Sequence, residues 1–86
     1  MALFLISYEL RKSDFNYHPL YDALAEIDAK HVQDSVWGVN TTSTVAELFN
    51  FLWQHMHNGK DRLLVVTFDK SLGYSSHNAI TRLKDL

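Results

Sequence analysis

Glu9 is the residue best placed for chemistry in this chain. It follows the apolar run Ala2 to Ile6 and stands near the C-terminal end of what reads as a first strand, Ala2 to Leu10. A carboxylate at such a sheet edge can hold a divalent cation, and a cation set against a phosphodiester promotes its cleavage. One carboxylate makes a poor site. Two, brought together across a two-fold axis, would hold a single Mg²⁺ or Mn²⁺ between identical chains. The plainer alternative is a solvated strand-end glutamate paired with Arg11 or Lys12.

The remaining reactive residues carry weaker signals. His55 and His57 flank Met56 at the end of a helical stretch, where side chains two apart diverge, so they read as two histidines facing a helix C-terminus rather than as a metal pair. His18, His31 and His77 are scattered and read as titrating surface groups. Trp37, Phe49, Phe51 and Trp53 fall on strand and helix faces, which assigns them to core or interface before base stacking. No Gly-rich phosphate loop, G-x-S-x-G elbow or H-E-x-x-H pair occurs, and without cysteine there is no thiolate zinc site.

The elements that must position Glu9 follow from periodicity. In the first strand Phe4, Ile6, Tyr8 and Leu10 point one way and Leu3, Leu5, Ser7 and Glu9 the other. Pro19 suits a first helical turn, and Leu20, Ala23, Leu24 and Ile27 recur at helical spacing, predicting a helix that ends near Lys30. His31 to Asn40 reads as strand, or as two short strands about a bend near Asp34 and Ser35. Thr44 and Glu47 match a capping box ahead of the stripe Val45, Leu48, Phe49, Leu52, Trp53 and Met56, predicting a second helix to about His57 with Asn58-Gly59 as its stop. Arg62 to Phe68 is the clearest strand, and Ser76 to Leu86 suits a short helix, with a final strand as the alternative.

This order predicts one α+β domain over residues 1–86, a ferredoxin-like βαββαβ sandwich with two helices on one face of an antiparallel sheet. The opposite face then carries Leu3, Leu5, Leu63 and Val65, or the neighbours of the last two, and needs a cover: the tail, a second copy, or both. A domain of 86 residues without cysteine also gains from association, so a homodimer is expected. Eight Lys and Arg against ten Asp and Glu disfavour strong non-specific nucleic-acid binding while leaving room for a local basic patch. The apolar start is too short for a signal segment, and no run approaches the roughly 20 residues of a membrane span, which places the expected compartment in the cytoplasm.

The segment Ile6-Ser7-Tyr8-Glu9-Leu10, followed by Val32-Gln33-Asp34-Ser35-Val36-Trp37, resembles the CRISPR-associated Cas2 family and its VapD-like relatives. In those proteins a first strand ends in Tyr-Asp and an aliphatic residue, and a second carries a V-Q-x-S-V-aromatic run. The resemblance extends over residues 2 to about 68. It implies a ferredoxin-like homodimer, with metal-dependent endonuclease activity on RNA or DNA in some members and a structural role in others. The family's metal-binding aspartate falls on Glu9, making it the expected catalytic and Mg²⁺ or Mn²⁺ ligand, with Arg11 and Lys12 steering the nucleic-acid phosphates. The alternative is a catalytically inactive dimer serving as a protein-binding or regulatory module in a toxin–antitoxin, phage or CRISPR setting.

Overall fold

A computed structural model describes residues 2–86, and Met1, the first residue of the expected domain, lies outside them. Strand β1 (Ala2–Glu9) and strand β4 (Arg62–Phe68) are runs of Leu, Ile, Val and Phe, which fit a pleated surface better than a helix. Between them come helix α1 (His18–Glu26), strands β2 (Lys30–Gln33) and β3 (Val36–Thr41), and helix α2 (Val45–Trp53). The sheet has the order β2-β3-β1-β4 with every neighbouring pair antiparallel. The chain is thus α+β, with a four-stranded antiparallel sheet and two helices. None of its helices is long and apolar enough to cross a membrane.

One face of the sheet makes the core. Phe4, Ile6 and Tyr8 from β1, Val39 from β3 and Val65 from β4 join Leu20, Ala23 and Leu24 of α1 and Leu48 and Leu52 of α2 in one buried cluster. Both helices therefore pack on the same side. Register sets the membership of each face, since Ile6 lies between Trp37 and Val65 while Leu5 lies between Gly38 and Val66. Leu63 and Val65 consequently belong to the helix side, and Leu64 and Val66, their neighbours, occupy the open face. The expected β1 parity is the observed one.

Both helices are shorter than their apolar stripes suggest. Helix α1 stops before Lys30 because Asp28 adopts a left-handed conformation (φ 58°) and Ala29 N–H donates back to the Leu24 carbonyl oxygen at 3.0 Å, turning the chain into β2. Helix α2 begins at the expected capping box, Thr44 accepting from Glu47 N–H at 3.1 Å and Glu47 from Thr44 N–H at 2.8 Å. These bonds hold the Glu47 carboxyl below its ordinary range. It ends near Gln54 rather than His57, the last turn tightening through His55 N–H to Leu52 oxygen and Met56 N–H to Trp53 oxygen. Asn58-Gly59 sits in the following turn and does not terminate the helix. The expected bend is present, Asp34 and Ser35 forming the turn between β2 and β3.

The tail is neither an α-helix nor a strand. It contains short 3-10 turns at Lys70–Leu72 and Leu83–Asp85, separated by irregular chain. Its residues serve as a cover: Leu83 is buried, and the Leu86 side chain lies where a side chain on Gly38 would project, on the open face of β3. Ile80 N–H donates to the Val32 carbonyl oxygen at 2.8 Å, fastening the tail to β2. The spacing of three that suggested a helix thus reflects two residues turned onto the sheet, while Ile80 itself is 62% exposed.

Candidate functional site

Glu9 ends β1 with its side chain 56% exposed and directly opposite Arg62, the first residue of β4. The Arg62 guanidinium donates to both carboxylate oxygens, at 3.2 and 3.4 Å, and Arg11 approaches one of them at 3.6 Å. Lys12 is turned away and pairs with Asp14 at 2.9 Å. The structure therefore joins Glu9 to Arg11, leaves Lys12 outside, and adds Arg62, which lies too far along the chain for spacing to reveal. A cleft of about 260 Å³ borders the cluster, lined by Ser7, Tyr8, Glu9, Arg62, Leu63 and Leu64.

Asp61 anchors this end of the molecule. It is buried, and its carboxylate accepts from Arg11 N–H at 2.8 Å, the Tyr17 hydroxyl at 2.6 Å and His57 N–H at 2.7 Å. Those three donors come from the loop after β1, the approach to α1 and the segment after α2, so one side chain ties together every element around the Glu9 cluster. Burial pushes the Asp61 carboxyl up, but the bonds from Tyr17, Arg11 and His57, with the charge of His57, hold it below its ordinary value. Burial and the bond to Asp61 push the Tyr17 hydroxyl up, keeping it a protonated donor. The only sequence-level trace of Asp61 is an acid just ahead of an apolar strand, which by itself names none of its partners.

His31, His55 and His57 pack on aromatic rings, while His18 pairs with Asp22 at the surface at 3.1 Å and His77 is exposed. His57 stands edge-on to Phe15 with ring centroids 5.7 Å apart, whereas His55 meets Phe51 at 6.1 Å, so the two imidazoles diverge. The Nδ1 of His57 is buried without a hydrogen-bond partner. Trp37 donates from its indole nitrogen to the Tyr8 hydroxyl at 2.9 Å and stacks on His31, centroids 4.2 Å apart. Phe49, Phe51 and Trp53 are partly buried against the core.

A divalent ion needs several oxygen ligands in its first shell. Within one chain Glu9 offers a single carboxylate already engaged by two guanidinium groups, and among the described residues no three acidic, His or Cys side chains converge. That set does not fit a metal centre, and a second carboxylate would have to come from another copy. What the cluster can do unaided is present one acid between two exposed guanidinium groups. No family model matches the sequence.

Proposed function

We propose that this chain is a Cas2-like, VapD-like ferredoxin-fold homodimer that acts as a protein-binding or regulatory module, its Glu9 position given over to ion pairing instead of metal chemistry. The observation that carries this reading is the engagement of both Glu9 oxygens by Arg62, with Arg11 alongside. The β-α-β-β-α-β order and the β2-β3-β1-β4 sheet support the ferredoxin-like fold. The exposed Leu64 and Val66 support a second copy, because the tail covers the β3 part of the open face and leaves these two uncovered.

The second reading is a homodimeric, metal-dependent endonuclease acting on RNA or DNA. It is favoured by the open cleft beside an exposed Glu9 carboxylate. It requires the Glu9 side chains of two copies to converge on one Mg²⁺ or Mn²⁺ and to leave their arginines, which would then be free for phosphate. A cleavage assay separates the readings, with single-stranded RNA and duplex DNA incubated with either metal and the wild-type chain or Glu9→Gln. The module reading expects no metal-dependent cleavage that distinguishes the two proteins. Turnover by the wild type that is abolished in Glu9→Gln establishes the nuclease instead.

A further inference from the structure

The sheet has two edges, and the chain treats them differently. At β2 its own tail intervenes, Ile80 bonding to Val32. At β4, among the described residues, the backbone of 62–68 makes no hydrogen bond outside its ladder with β1. Natural edges are usually blunted by proline, inward charge, a bulge or a cover. Residues Leu63 to Phe68 contain no charge and no proline, and the β1–β4 register runs without a bulge. Leu64 and Val66 are 58% and 40% exposed beside this edge.

We propose that β4 pairs antiparallel with β4 of a second copy, about a two-fold axis through Val65, so that two sheets become one. The sequence is self-complementary in that register. Paired residues must share a face, and the Val65 axis sets Leu64 opposite Val66 of the second copy on the open side and Leu63 opposite Thr67 of the second copy on the helix side. The four exposed side chains of Leu64 and Val66 then form one apolar block across the axis. The lone charge of the strand, Arg62, arrives opposite Phe68 of the second copy, and the Asp69 carboxylate that follows Phe68 is held by Ser71 of its own chain.

This arrangement rests on the homodimer reading above and specifies it. Six residue steps separate the two Arg62 positions, roughly 20 Å along the ladder at about 3.4 Å per residue. Each Glu9 stays with its own Arg62, far beyond the about 2.0–2.6 Å at which carboxylate oxygens bind Mg²⁺ or Ca²⁺. An edge-paired dimer therefore keeps its two Glu9 clusters separate.

The chain has no cysteine, so disulfide trapping is unambiguous. Val65→Cys places a thiol on the axis, and an equimolar mixture of Leu64→Cys and Val66→Cys chains tests the same register from exposed positions should the buried substitution impair folding. The expected result is a covalent dimer for Val65→Cys, and a crosslinked product in the mixture well above that of either chain alone. A dimer in sedimentation velocity that crosslinks in neither format overturns the β4 pairing and leaves the homodimer standing. A chain that stays monomeric to millimolar concentration overturns both.

Discussion

Replacing Asp61 with alanine lowers the unfolding free energy by about 3 kcal/mol, read as a fall in the urea midpoint at unchanged slope. The substitution strands three partly buried donors, Arg11 N–H, Tyr17 O–H and His57 N–H, around a buried carboxylate. A domain of this size holds only about 5–15 kcal/mol in total, so a loss of this size removes a large part of the margin. Tyr17→Phe deletes one of the three bonds together with the bond its hydroxyl accepts from Lys12 N–H at 3.2 Å, and costs about 1–2 kcal/mol. The pH dependence has a fixed sign. The folded carboxyl lies below its unfolded value, so its contribution is fully present above the unfolded range near about 3.9 and is lost as pH falls through the lower folded value. The stability gap between the wild type and Asp61→Asn accordingly narrows in acid and is constant near neutrality.

Ile6→Ala removes a side chain with no exposed surface from the centre of the sheet and costs about 3–4 kcal/mol. Leu64→Ala, on a neighbouring strand and of similar chemistry, changes the monomer by less than about 0.5 kcal/mol because Leu64 already meets solvent. Urea titration at low protein concentration measures both. The contrast checks the assignment of faces on which the partner surface depends: a costly Leu64→Ala in the monomer would mean that the open side of β4 is already covered.

Local patterns in this chain predicted what local physics decides. Thr44 and Glu47 marked the start of α2, because a capping box is complete within four residues. The alternation of β1 assigned its faces, since Ser7 and Glu9 break an otherwise apolar run on one parity only. In β4 the run Leu63-Leu64-Val65-Val66 is apolar at every position, so period two carries no information and pairing with Ile6 decides. At Glu9 the link to Arg11 was legible from its neighbourhood, but Arg62 lies 53 residues away. Asp61 was hidden for the same reason, its Arg11 and Tyr17 partners standing 50 and 44 residues distant. Apolar spacing overstates the length of both helices because it continues past the residues whose backbone turns, Asp28 after α1 and the tightened turn after Trp53.

The reading of Glu9 as an ion-paired strand end is tested most directly by adding Mn²⁺ to isotope-labelled protein and following paramagnetic broadening of its amide resonances. Broadening at Tyr8, Glu9 and Arg62 is expected to be no greater than at exposed acids elsewhere, such as Asp28 and Asp85. Selective loss of the Tyr8, Glu9 and Arg62 signals at substoichiometric Mn²⁺, restored by Glu9→Gln, would contradict it and make Glu9 a metal ligand.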